Sequence, residues 1–269
     1  MGIIGYIHVC QKGEWKRSFN ILINSIIESG LYDNTIVIRI GVVNDSSSLI
    51  SDHILQDSKF QVMYLGNSDQ YERPTLLHMH ASSYRDPADT LYYYLHTKGI
   101  RHFGGKGELN VTSWINLMLY WNIVRWRYAT EILKLFNTYG CEFIENHYSG
   151  NFWWATAKHV QLLPNSIESF YVAPEYWICK IRNKAFCAYK SDYGGGELYT
   201  NYISPDKYIH LSNKEAFMTY LNSKNRKYAK KKINIDMNGI NSNKLKTNVN
   251  TTASIIPTHN TTTSVRPTH

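Results

Sequence analysis

The chain has 269 residues, 43% of them hydrophobic and 19% charged, and its 29 Lys and Arg against 21 Asp and Glu give a net charge of +8. This composition excludes a disordered or fibrous chain and allows one large domain or two small ones, either able to bury a core. Residues 222–269 hold nine Lys and Arg against the single acid Asp236, so residues 1–221 balance to zero and a simple nucleic-acid-binding body is excluded too.

Ile3–Val9 is an apolar run that predicts a first strand. Phe19, Leu22, Ile23, Ile26 and Ile27 then recur at helical spacing, with Gly30 as the stop. The β-branched run Thr35–Val43 predicts a strand buried on both faces, and Phe60–Leu65 a third strand. Residues 71–84 suit a helix entered through Glu72, Arg73 and Pro74, with Pro allowed in the first turn. Leu91–Leu95 is a fourth strand. This alternation predicts an α/β fold: a mostly parallel central sheet flanked by helices, in a single domain over residues 1–221. In such sheets ligands bind beyond the carboxyl ends of the strands, which puts Cys10–Trp15, Asn44–Ser48 and His96–Lys106 on one rim. Further on, Ser113–Asn137 predicts a long buried helix rich in Trp, and Glu142–Tyr148 a short strand. Ala155–Leu163 and residues 174–182 predict two short helices. From 222 the sequence turns Lys-rich and then Asn/Thr-rich, a low-complexity extension that is either solvated or a weak contact for acidic surfaces such as nucleic acid or an anionic membrane.

Cys10, Cys141, Cys179 and Cys187 make no CxxC pair, so reduced thiols in the cytoplasm are expected. The start MGIIGYIHVCQ has no charged n-region or sustained apolar stretch, and no window approaches a membrane span. A soluble protein without a secretory signal or transmembrane segment is the expectation.

Three blocks carry candidate chemistry. His96-Thr97-Lys98-Gly99 ends a strand with a fixed positive charge and a glycine that permits backbone approach, as a phosphate site needs; a surface loop with a chance His and Lys has the same look. Ser149-Gly150-Asn151 leads into Phe152, Trp153 and Trp154, three aromatics that cannot all face one core layer. Part of that surface is expected in a cleft suited to stacking on a sugar or base, with at least one Trp packed at a corner. Glu175, between Pro174 and the rings of Tyr176 and Trp177, either offsets a helix dipole or serves as a general base, with Trp177 joining the aromatic wall. Glu72 and Thr75 are read either as caps or as hydroxyl-recognising groups. His78 and His80, two apart on a helix, diverge and make no metal pair. Tyr193-Gly-Gly-Gly-Glu197 is a candidate lid without the context of a phosphate loop.

Read in order, IGYIHVCQKGEWKRSF, YERPTL, LYYYLHTKG, the Trp-rich helix, HYSGNFWWATAKHVQLLP and PEYW resemble GT-A-fold glycosyltransferase-like proteins of giant DNA viruses and bacterial polysaccharide clusters. The HTK and FWW blocks are also similar to the rhamnan synthesis protein F family. The resemblance covers roughly residues 1–210. It implies a nucleotide-sugar half over 1–110, binding a UDP- or dTDP-sugar through Glu72, Thr75 and His96–Gly99. It implies an acceptor half over 111–221 that presents a glycan or other hydroxyl acceptor along Ser149–Trp154 and Trp177. Glu175 matches the base of an inverting enzyme. Where that group has Asp-x-Asp, this chain has His96-Thr97-Lys98. The diphosphate then meets Lys98 directly, or His96 helps hold Mn²⁺ or Mg²⁺. The alternative is a catalytically inactive carbohydrate- or nucleotide-binding protein of the same fold.

Overall fold

The computed structural model describes residues 2–45, 56–193 and 198–224. The chain divides into two units, Met1–Leu221 and Asn222–His269. The basic extension lies outside the described residues from 225 on, as do Gly194–Glu197 of the candidate lid and Ser46–Ser48 of the expected rim.

The first unit opens with β1 (Ile3–Cys10), α1 (Trp15–Glu28) and the single turn α2 (Leu31–Asn34). Then come β2 (Val37–Val43), β3 (Phe60–Gly66), α3 (Arg73–Ser83) and β4 (Leu91–His96). Apart from α2, which the sequence does not announce, each lies where it is predicted, because apolar residues run along both faces of β1 and β2 and recur at helical spacing in α1. After α4 (Glu108–Leu119) and α5 (Trp126–Ile132) the elements become short: β5 (Thr138–Gly140), β6 (Phe143–Ile144), β7 (His147–Tyr148), β8 (Trp153–Thr156), α6 (Ala157–Gln161), α7 (Ala173–Trp177) and β9 (Ala185–Cys187).

Seven strands form one sheet in the order β3-β2-β1-β4-β8-β5-β9, with β6 and β7 in a separate hairpin. β1 lies parallel to β2 and β4, and β2 to β3; β8 runs antiparallel to both β4 and β5, and β5 is parallel to β9. The fold is therefore α/β, with a mostly parallel sheet covered by helices. On one face Phe19, Leu22 and Ile26 of α1 and Trp114 and Met118 of α4 meet Ile7, Val9, Ile40 and Tyr93. On the other, Leu76 and Met79 of α3 and Val160 of α6 meet Tyr6, Tyr92, Tyr94 and Trp153.

Four expected elements are corrected, the simplest being the helix expected over residues 174–182, which is the short α7 and ends at Trp177. The long helix expected over Ser113–Asn137 is broken by a π-helical segment, Tyr120–Val124. Buried donors draw main-chain carbonyls out of the helical ladder there: Tyr139 Oη–H donates to Trp121 O, and Trp154 Nε1–H to Asn122 O. The strand expected over Glu142–Tyr148 is instead the β6–β7 hairpin, because Glu142 and Glu145 sit in the left-handed region at φ 52° and 51°. The helix expected from Ala155 starts only at Ala157, after β8, where Thr156 Oγ1 accepts from His159 N at 3.3 Å.

Candidate functional site

β1 sits between β2 and β4, so the loops leaving β1 and β4 part company and leave a crevice at the carboxyl ends of the strands. A cavity of about 400 Å³ opens there. Six of the residues singled out in the sequence line it together: Glu72, His96, Thr97, Lys98, Gly99 and Glu175.

The floor is set by pairing of β1 with β4, which puts His8 opposite His96. Both rings lie on the α3 face of the sheet. His8 Nδ1 lies 2.9 Å from Thr75 Oγ1 of α3. His96 Nε2–H donates to the Gly150 carbonyl at 2.9 Å, which fixes the proton on that nitrogen. Burial pushes His8 down to about 4 against the pull of Glu72. Burial, with the Lys98 charge adding to it, pushes His96 down to about 4. Both imidazoles are therefore neutral at neutral pH.

The next residues lock the loop after β4. Thr97 Oγ1 accepts from Cys10 N at 3.1 Å, and Thr97 N donates to His8 O at 2.9 Å. Gly99 has φ +77°, and a Cβ there would come within 2.5 Å of Val111 in α4, so glycine serves the turn and the packing of that helix. Between them stands Lys98, only 6% exposed. Its ammonium lies 3.9 Å from the centre of the Trp114 ring and 3.5 Å from Tyr199 Oη. Among the described residues no carboxylate pairs with it. A buried ammonium held only by an aromatic face and a phenol is open to an anionic ligand.

Two of the carboxylates facing the cavity have defined partners. Glu72 precedes α3 but caps nothing with its side chain. Its Oε2 accepts from Tyr94 Oη at 2.7 Å and from Asn151 Nδ2 at 2.6 Å. Glu175 sits in the first turn of α7, 3.9 Å from His147 Nε2.

The rest of the expected site is elsewhere. Phe152, Trp153, Trp154 and Trp177 are at most 1% exposed and do not line this cavity. Strand alternation sends Trp153 and Trp154 to opposite faces, where Trp153 stacks on Tyr94 at 4.9 Å and Trp154 packs against Tyr93 at 5.2 Å. Each of the three indole N–H groups is satisfied internally, by Asn151 Oδ1, Asn122 O and Pro164 O in turn. Rings so enclosed offer no face to a ligand, so the expected aromatic wall is corrected to core. Thr75 is likewise buried behind His8. Ser149, Gly150 and Asn151 stand behind the cavity and act through others: Gly150, at φ +89°, aims its carbonyl at His96, Asn151 holds Glu72, and Ser149 N donates to Glu142 O.

Residues that sequence reading missed fill the vacated role. Tyr71, Tyr171, Tyr199 and His8 all line the cavity, as does Arg101 from the expected His96–Lys106 rim. His8 carries a readable signal, a polar residue near the end of a buried strand; Tyr71, Tyr171 and Tyr199 come from separate loops and carry none.

Among the described residues no three His, Cys, Asp or Glu side chains gather as a metal-ligand set, and no helix is long and apolar enough to cross a membrane. No family model matches the chain, and no curated protein matches it. What fold and site define is an α/β protein with a mostly parallel sheet and, at its switch point, a cavity into which charged side chains of both signs project.

Proposed function

We propose that the protein is a GT-A-like glycosyltransferase that moves a sugar from a nucleoside-diphosphate sugar, UDP- or dTDP-linked, to an acceptor hydroxyl with inversion. The observation that carries this reading is Lys98, a buried ammonium without a carboxylate partner among the described residues, beside the strand ends where nucleotides bind in open α/β sheets. A diphosphate would complete the charge that the fold leaves open.

In this reaction the acceptor oxygen attacks the anomeric carbon while the bond from that carbon to the diphosphate oxygen breaks. The electron pair leaves with the diphosphate, whose growing charge Lys98 offsets. The acceptor proton passes to the Glu175 carboxylate, with His147 behind it. The neutral His96 keeps its Nε2–H on Gly150, and its Nδ1 is a lone-pair acceptor.

The Mn²⁺ or Mg²⁺ that the resemblance implies fits this donor set poorly. His96 lies close enough to a fixed ammonium to be depressed by it, and one Glu72 oxygen already receives two hydrogen bonds. Lys98 takes the counter-charge role in the proposal. Glycan or polysaccharide synthesis is the setting that the resemblance suggests.

Donor turnover, measured with Mn²⁺ and with EDTA, tests the reading. Glu175→Gln is expected to lower transfer by about 10²–10⁴-fold and leave diphosphate affinity unchanged. Full activity in that variant would remove Glu175 from the reaction, and diphosphate binding without turnover would favour the non-catalytic alternative.

A further inference from the structure

The cavity draws its charges from two sets of segments. Its cations, Lys12, Lys98 and Arg101, all follow β1 and β4, whereas its carboxylates, Asp69, Glu72 and Glu175, come from the turn into α3 and from α7. Both acidic segments also bring a tyrosine. Tyr71 precedes Glu72, Tyr171 comes shortly before Glu175, and the two rings meet edge to face with centres 5.0 Å apart.

This patch is fixed in place. Arg73 stitches the two segments together, donating to the main-chain carbonyls of Gln70 at 3.0 Å, Glu168 at 2.8 Å, Phe170 at 3.1 Å and also Ser169. Tyr71 has φ 50° and ψ −138°, a conformation that is strained for a non-glycine residue. Tyr171 remains 67% exposed. A strained tyrosine and an exposed one, held against each other beside ionisable oxygens at a cavity mouth, are poorly explained by packing.

We infer that this carboxylate–tyrosine patch seats the sugar of the donor and selects uncharged pyranoses over uronic acids. The inference rests on the diphosphate reading above. With the diphosphate drawn to Lys98, the patch is the part of the cavity left for the sugar. A pyranose offers hydroxyls that donate to carboxylate oxygens and an apolar C–H face that packs on a tyrosine ring. A carboxylate at C6 would instead meet Asp69, Glu72 and Glu175 at close range in a partly desolvated site.

Calorimetric titration of the full chain with UDP, and with the pairs UDP-glucose/UDP-glucuronate and UDP-galactose/UDP-galacturonate, tests this. Within each pair the sugars differ only at C6. The neutral member of at least one pair is expected to bind about tenfold or more tightly than its uronate. Glu72→Gln should cut that ratio to about threefold or less, and Tyr171→Ala should weaken the neutral sugar about fivefold, both with UDP affinity unchanged. Asp69→Asn, exposed and outside the Glu72 network, should reduce the ratio in the same direction if Glu72→Gln fails to fold. Equal affinities within both pairs while UDP binds, or a ratio indifferent to both acid variants, overturns the inference and leaves the diphosphate reading standing. Absence of UDP binding overturns the inference as stated, and silence of dTDP as well would retire the diphosphate reading with it.

Discussion

The two ends of the central sheet are built by different means. β1 to β4 are six to eight residues long, mutually parallel and, in β1 and β2, dominated by Ile and Val. β8, β5 and β9 have only three or four residues each, and large rings hold them: Trp153, Trp154, Tyr139 and Phe186. Long aliphatic strands are held along their length, so their carboxyl ends are free to carry His8, His96 and Lys98 into a cavity. Strands of three residues have too little ladder to stand alone, and the aromatic side chains there are taken up by packing. An aromatic-rich block therefore marks the part of this fold that most needs filling, not the part that binds.

The sharpest way to break that contrast is to cut a ring out of the short strands. Trp154→Ala removes a fully buried indole and strands the Asn122 carbonyl that it satisfies. A loss of about 3–5 kcal/mol is expected in chemical denaturation. A variant that folds with normal stability and loses only ligand affinity would restore Trp154 to the binding wall.

The long-strand end is tested by acid. His8 is 2% exposed, and burial lowers it from 6.5 to about 4 in the folded chain. Between those two values the unfolded chain binds the extra proton and the folded chain does not. Stability must therefore fall as the pH drops from about 6.5 towards 4, by up to about 3 kcal/mol from this residue. Unfolding midpoints followed from pH 7 to 4 check it, and His8→Gln should flatten the slope. An unchanged slope in that variant would show that the ring is not held neutral at the floor of the site.

How much of this was legible follows from the same contrast. Ile- and Val-rich runs along β1 and β2, and the helical recurrence of Phe19, Leu22 and Ile26, span enough residues to be read, so the rim at the carboxyl ends of the strands and the His96–Gly99 end of β4 could be placed from sequence. β5 and β9 are too short to hold a period at all. In β8 the signal misleads: Trp153 and Trp154 are adjacent, and only the strand geometry reveals that they serve two separate core layers. Glu72 and Glu175 were readable as acids at helix starts, but their meeting in one cavity depends on the Arg73 contacts to a segment some 95 residues away in sequence. Tyr71 and Tyr171 acquire significance only through that same meeting.

The smallest expected effect is the one that separates a functional lysine from a structural one. Lys98→Met keeps the aliphatic stem against Trp114 and removes the charge. A lysine kept for the fold would lose stability on this change. One kept for a ligand is buried at a cost, since desolvating an ammonium without a carboxylate partner is unfavourable, so the variant should be as stable as the parent or more so. Diphosphate affinity should fall in the same protein by about 1–3 kcal/mol, the worth of a charge-assisted contact. Calorimetric titration with UDP or dTDP and a denaturation curve on one preparation read both quantities. Lower stability with unchanged affinity would turn Lys98 into a packing residue and leave the cavity without its anchor, whereas the opposite pair of results ties the cation to the ligand and to nothing else in the fold.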